Sequence, residues 1–479
     1  MNKELKRVSI AVLLMFIALF CSGTFITVFQ VDELRADDRN VRTLYDSFSA
    51  ERGPLLIDGT PIAESTPVDN DFKFQRVYTN PELYSSITGY FTLNQGNTGV
   101  EGALNDYLSG TANSQFLDHL NSILTGKNPK GAAVELTIDP VAQQAAWDAL
   151  GDQTGAVVAI DPSTGAILAM VSKPAYDPNV LASHDTSAVI EAYNQLLADP
   201  GNPLFNRTIT GDLYHPGSVF KLLVAAAAID SGQFTPDSTL PNPASLQLPL
   251  SDVSIQNASR STCGPGETVS IADALRISCN IPFAELGAAL GEDTIAGYAE
   301  QFGYGQRVEV PMSATASNYP KGMDAPRLML SSFGQYDVRV TPLQIAMTTA
   351  AIANGGVLMQ PTLVESIIGP DLSIIEPFQP EVFSEPISQE TASTLVALMI
   401  NNVSNGAASS ARISGVEVAG KTGTAESSEG VPNTLWFTGF APANNPQIAI
   451  AVVVENESGF GDTVAAPIAR KVIEAVLSK

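Results

Sequence analysis

Residues 8–29 form a run of 22 positions without a charge, long enough to cross a bilayer as a helix. Lys3, Lys6 and Arg7 precede it against a single Glu4, a bias that sets the short N-terminal end toward the cytoplasm and everything after the run outside. Small residues at Cys21-Ser22-Gly23 would suit a signal peptidase, but the apolar run continues through residues 24–29 and favours a retained anchor. Bulky Phe20 stands where lipid attachment at Cys21 needs a small residue. Beyond the span the pattern shortens. Leu55-Leu56-Ile57 and Pro61-Ile62-Ala63 flank Asp58-Gly59-Thr60, a hairpin signal. Residues 115–124 predict a helix and 134–138 alternate as a strand. A helix over 140–150 is opened by Asp139 as cap and Pro140 at its first position. The polar, glycine-flanked stretch 151–155 marks a domain boundary.

The apolar segments 156–160 and 166–171 bracket a turn at 161–165 and read as a second hairpin. Three further strands are predicted at 416–424, 435–440 and 448–455, followed by a closing helix over 467–477. The long stretch between the early and late strands reads as mostly helical. Two strands, a helical insertion, three strands and a helix imply an α+β fold: one five-stranded antiparallel sheet flanked by helices. The predicted organisation is a tail (1–7), an anchor (8–29), a smaller mixed domain (30–151) and a larger catalytic domain (152–479).

Composition narrows the function. With 44% hydrophobic and 7% aromatic residues among 479, the chain is globular. A net charge of −25, more negative still outside the membrane, excludes a nucleic-acid partner, because phosphate binding needs clustered Lys and Arg. His119, His184 and His215 are scattered without Cys or carboxylate neighbours at ligand spacing, so no metal site is expected, nor any other cofactor. Cys263 and Cys279 lie 16 positions apart in an oxidising compartment, either bridged or as two buried thiols. A bridge would contribute about 3 kcal/mol by loop closure and would stiffen the residues on both sides of Cys279.

Three short segments carry chemistry. Ser218-Val219-Phe220-Lys221 follows the turn His215-Pro216-Gly217 and heads a predicted helix over 219–230. A serine there normally just caps the helix, but Lys221 lies one turn away on the same face, amid apolar neighbours. Neutrality near pH 7 requires lowering its reference pKa by about three units, roughly 4–5 kcal/mol, and a nearby cation such as Lys421 pushes that way. A neutral Lys221 amine can take the Ser218 proton as the oxygen attacks an acyl carbon. Ser278-Cys279-Asn280 ends a helical segment; Ser278 can pass a proton to a leaving amine and Asn280 can hydrogen-bond an amide. Lys421-Thr422-Gly423-Thr424 belongs to a strand. Lys421 with the hydroxyls of Thr422 and Thr424 offers a place for a carboxylate, and Gly423 lets a substrate backbone come close. Backbone N–H groups of Ser218 and Thr424 suit an oxyanion hole. Residues 415–422 also match the phosphate-binding P-loop pattern, but Val416-Glu417-Val418 alternates as a strand and Thr422-Gly423-Thr424 is a poor helix start.

The three boxes in this order resemble those of the class B penicillin-binding proteins, most specifically the actinobacterial penicillin-binding protein A subgroup. The likeness spans nearly the whole chain. It includes Arg52-Gly53, Asn80-Pro81-Glu82 with Thr88-Gly89-Tyr90, residues 161–165, and Gly334-Gln335 followed by Thr341-Pro342-Leu343. The 143 positions between Ser278 and Lys421 exceed the spacing typical of class A β-lactamases, and Cys279 departs from the wider family, its side chain expected to point away from the site. The resemblance implies a D,D-transpeptidase of the cell wall, acting in growth or division. Ser218 would attack the penultimate D-Ala of a peptidoglycan stem peptide, and β-lactams would acylate the same serine. It also implies lipid II-derived glycan as substrate and a polytopic glycosyltransferase as partner, since no glycosyltransferase-like box precedes the catalytic domain. Rival readings are a D,D-carboxypeptidase, which uses water as acceptor, a β-lactamase, a β-lactam sensor, and an inactive scaffold. The anchor and N-terminal domain disfavour a β-lactamase, a tail of seven residues is too short for a sensor, and the intact boxes disfavour a scaffold.

Overall fold

The computed structural model describes residues 2–29, 50–115, 130–211, 213–425 and 433–479. Its first element is a helix, Asn2–Phe29, long and apolar enough over Leu5–Ile26 to cross a membrane and with none of that stretch buried.

The predicted hairpin forms between Leu55–Ile57 and Thr60–Pro67, with Leu55 opposite Ala63. It belongs to a six-stranded mixed sheet that also holds Phe74–Tyr78 and Ala133–Leu136. The two remaining strands come from far along the chain. Val364–Ile368 pairs with Ala133–Leu136, and Ile374–Pro377 closes the edge. The C-terminal half therefore sends a hairpin back into the N-terminal sheet, from a stretch that reads in sequence as mostly helical. Of the helix predicted over 115–124, only Gln115 is described, at the end of a 3-10 turn, Asn113–Gln115; the rest lies outside the described residues.

Helix Pro140–Leu150 starts as predicted, the Asp139 carboxylate accepting from the N–H groups of Val141 and Ala142. Its packing is with the body that follows it. Ala142, Ala146 and Leu150 are buried with Val157 and Val171 and with Ile468, Val472 and Ile473 of the closing helix Ala465–Leu477. This helix, which precedes the boundary read at 151, therefore shares a core with the elements that follow it.

The central sheet is five-stranded and antiparallel, in the order Ala419–Ala425, Asn433–Ala441, Ile448–Glu457, Gly155–Ile160, Ile167–Lys173. Val157 and Ala159 face the helices just named, while Ala156 and Val158 face the opposite core with Val224 and Ala346. Both faces are covered, which is why residues 448–454 read as an unbroken apolar run instead of alternating. Strand Ala419–Ala425 lies at one edge. Its outer side meets the turn that carries Ser218.

Candidate active site

Ser218 does not open a regular α-helix. It sits in a 3-10 turn, Gly217–Phe220, from which the α-helix Lys221–Asp230 continues. The turn is clamped from two sides. Gly217, at φ 53°, has its absent Cβ 2.8 Å from the Thr424 carbonyl oxygen, and its N–H donates to the Gly334 carbonyl at 3.0 Å. A Cβ on Gly334, at φ 82°, would fall 2.0 Å from the Gly217 oxygen. Two glycines thus let strand, turn and the 334 segment close on one another.

Lys221 is fully buried behind the turn. Its Nζ donates to Ser218 Oγ at 2.9 Å, to the Ser278 carbonyl at 2.9 Å and to Asn280 Oδ1 at 2.8 Å. Those three partners serve either protonation state. An ammonium donates to all three; a neutral amine donates to the two carbonyl-type oxygens and presents its lone pair to the Ser218 hydroxyl. The shell lets a proton pass from Ser218 to Lys221 without rearrangement.

Ser278 caps helix Ile271–Ile277 in the left-handed conformation, φ 69°. Lys421, also fully buried, donates from Nζ to Ser278 Oγ at 2.6 Å and to the Thr422 carbonyl at 2.8 Å. Burial lowers its pKa to about 7. The three boxes therefore form one hydrogen-bonded chain, Ser218–Lys221–Ser278–Lys421, with Asn280 on Lys221. Sequence reasoning placed all five of these residues together.

It missed the support of Asn280. The buried Asn257 accepts through Oδ1 from the N–H of Asn280 at 2.9 Å and of Ile281 at 3.0 Å, and Asn280 Nδ2 donates to the Gln256 carbonyl at 3.0 Å. No local signal marks Asn257, because its partners lie 23 and 24 positions away. Of the two states open for Cys263 and Cys279, the structure has the disulfide, and Cys279 points into that buried bridge.

The protein's own contacts surround the Lys-Thr-Gly-Thr strand. A Cβ on Gly423 would meet the Pro216 carbonyl at 3.0 Å, Trp436 Cβ at 3.1 Å and Val219 Cγ1 at 3.1 Å. Close approach of the protein's own turn excludes a side chain there. Thr422 Oγ1 donates to the Ala407 carbonyl at 3.0 Å, so its proton is committed until a ligand redirects it. Thr424 Oγ1 accepts from the Gly461 N–H at 3.4 Å.

Comparison with known proteins agrees with this geometry. Residues 155–474 match the penicillin-binding protein transpeptidase domain, and residues 52–134 the penicillin-binding protein A dimerisation domain. The peptidoglycan D,D-transpeptidase PbpA of Mycolicibacterium smegmatis is 41% identical over 100% of this chain and 99% of its own, and that of Mycobacterium tuberculosis is 40% identical over the same shares. Penicillin-binding protein A from M. tuberculosis, solved as its imipenem acyl-enzyme complex, superposes with a TM-score of 0.86 at 39% identity, covering 90% of this chain and 100% of that one.

Proposed function

Because the chain belongs to the penicillin-binding protein transpeptidase family, we propose that it is a peptidoglycan D,D-transpeptidase working through an acyl-enzyme on Ser218. The observation that carries this reading is the fully buried Lys221, its Nζ at 2.9 Å from Ser218 Oγ. Ser218 Oγ attacks the carbonyl of the penultimate D-Ala while Lys221 takes its proton. The N–H groups of Ser218 and Thr424 receive the developing oxyanion. The C–N bond then breaks, and the departing D-Ala amine collects a proton from Ser278, which Lys421 replenishes at 2.6 Å. The terminal carboxylate lies between Lys421 and the hydroxyls of Thr422 and Thr424. An amine on a neighbouring stem attacks the ester, passes its proton back along the same chain and frees Ser218, leaving a cross-link. A β-lactam enters as the donor does and stops at the ester.

The same proposal covers the surroundings. The apolar helix anchors the chain, and the Lys3, Lys6, Arg7 cluster supports a cytoplasmic N-terminus with the catalytic body outside. Cross-linking needs glycan polymerised by another activity, which supports a polytopic glycosyltransferase as the membrane partner.

Intact-mass spectrometry of the detergent-purified chain tests the chemistry. Benzylpenicillin is expected to give one adduct, stable over hours and missing in Ser218→Ala. Rapid return to the free mass would make the chain a β-lactamase, and no adduct on folded protein would overturn the acyl-enzyme reading.

A further inference from the structure

Ser278 is held in place by a residue far along the chain. It follows helix Ile271–Ile277 at φ 69°, a position that glycine usually fills at a helix end. The turn closes itself in part. The Ser278 N–H donates to the Leu275 carbonyl at 3.2 Å, and the Cys279 N–H to that of Ala274 at 2.9 Å. The Arg276 carbonyl receives its donors from outside, from helix Gln389–Asn405 and the segment after it. Asn402 Nδ2 donates to it at 2.7 Å and to the Leu275 carbonyl at 3.1 Å, and the Ala407 N–H donates to it at 3.0 Å. A Cβ on Gly406 would fall 2.3 Å from the same oxygen, so only glycine lets the segment come this close. Arg276 returns the tie, its Nη1 donating to the Asn405 carbonyl at 3.0 Å.

Asn402 is fully buried, and its Oδ1 has no hydrogen-bond partner among the described residues. A buried amide that leaves its acceptor idle costs stability, so this side chain serves through its donors. What they hold leads to the reaction centre. The Ala407 carbonyl accepts from Thr422 Oγ1 at 3.0 Å, while Lys421 Nζ donates to Ser278 Oγ at 2.6 Å. Strand Ala419–Ala425 and the helix before Ser278 are thereby joined twice, once through the reacting groups and once through residues 402–407. The second joint fixes the geometry of the first.

We propose that Asn402 is a positioning residue for protonation of the leaving group, holding Ser278 Oγ against Lys421 through the carbonyls of Leu275 and Arg276. The proposal rests on the transpeptidase reading. In that reading the electron pair of the breaking C–N bond goes to nitrogen, nitrogen takes the Ser278 proton, and the Ser278 oxygen takes one from Lys421. General acid catalysis depends on hydrogen-bond reach, so a shift of Ser278 weakens this transfer first. Asn402 acts only through Ser278. Its loss is therefore felt where nitrogen must leave, and hardly where the leaving atom needs little help from a proton.

Acylation of the full-length protein in detergent micelles by two donors tests this. One is benzylpenicillin, whose ring nitrogen must gain a proton as its C–N bond opens. The other is an N-acetyl-D-alanyl thioester, whose sulfur leaves as a thiolate and draws far less on an acid. Asn402→Leu, close in size to the native residue, is expected to slow acylation by benzylpenicillin about tenfold and by the thioester less than about twofold. Ser278→Ala should show the same preference with a larger loss. The melting temperature of Asn402→Leu should stay within about 4 °C of the parent, because both carbonyls keep a backbone donor and the unpaired oxygen is gone. Should that variant not fold, Asn402→Ala removes the same two bonds and should give the same preference. Val403→Ala, which opens a small cavity one position along the helix, should melt earlier yet leave the ratio of the two rates unchanged. Equal losses with both donors in the Asn402 variants, or full rates with benzylpenicillin, would overturn the proposal. If Ser278→Ala slows both donors alike, or if neither donor acylates the parent protein, the reading beneath it fails instead.

Discussion

The molecule buries charge in two places and treats it in opposite ways. In the N-terminal domain Glu101 lies fully buried between Arg52, Nε at 2.5 Å, and Arg76, Nε at 2.6 Å, with the Tyr78 hydroxyl donating to it at 3.3 Å. Burial alone would push its carboxyl up; Arg76 and Arg52 outweigh that and hold it below the usual range. In the catalytic body Lys221 and Lys421 are equally buried, but the partners described above are hydroxyls, carbonyls and an amide, and burial is what brings Lys421 down to about 7. Compensated charges freeze a structure, because every proton stays where it is at neutral pH. Lys421, which burial brings down to about 7, holds its proton loosely enough to give it up. The first arrangement builds a scaffold, the second a reaction centre.

Removing each charge in turn should break the comparison most visibly. Lys221→Met takes away the proposed base, and acylation by benzylpenicillin is expected to slow by about 10³- to 10⁴-fold in stopped-flow assays. Stability should move little, within about 1 kcal/mol in urea unfolding. Two forces oppose: a buried polar amine is replaced by an apolar side chain, while the Ser278 carbonyl and Asn280 Oδ1 lose a donor. A large fall in stability with acylation intact would reverse the roles assigned to the two regions.

Glu101→Gln should do the converse. It leaves Arg52 and Arg76 buried without a counter-charge, a defect of about 3–5 kcal/mol in urea unfolding. The acylation rate per folded molecule should stay within about twofold, since Arg52 and Arg76 reach Asn105 and the Gly53 carbonyl but none of the catalytic boxes. A variant as stable as the parent, or one that folds but no longer acylates, would show that the triad serves the reaction centre directly.

The two regions were also unequally legible in the sequence. The boxes could be read because each is local: Lys221 sits one helical turn from Ser218, and Ser278 and Asn280 flank a single cysteine. The strands around Lys421 announced themselves as buried apolar runs. The Arg52–Glu101–Arg76 triad gave no such sign, for its members meet only through the fold of a mixed sheet, and a lone Glu in a short helix, Gly99–Ala103, looks like a surface residue. The same reason hides Asn257, and it hides the return of strands Val364–Ile368 and Ile374–Pro377 to the N-terminal sheet, which long-range pairing alone dictates. Helix Pro140–Leu150 was readable as an element but not in its allegiance, because an amphipathic stripe says that a face is buried and not against what.

Lys421 offers the finest test, since its environment should be visible as a pH dependence. If its charged form holds the terminal carboxylate of the donor, kcat/KM must fall as the free enzyme loses that proton, by about tenfold per pH unit above an inflection near 7. The sign for stability runs the other way. The unfolded lysine keeps its proton to about 10.5, so burying it costs most below 7, and this penalty is relieved as pH rises between the two values. The protein should therefore resist urea better at pH 9 than at pH 7 even as it acylates more slowly, apart from the contributions of other titrating groups, which Lys421→Met as reference would subtract. A thioester donor with its terminal carboxylate replaced by an ethyl group separates the two uses of the lysine. If binding the carboxylate is what needs the charge, the basic limb disappears with that donor. If the limb persists, the proton of Lys421 is spent on the leaving group through Ser278, and the strand contributes transfer where anchoring was expected.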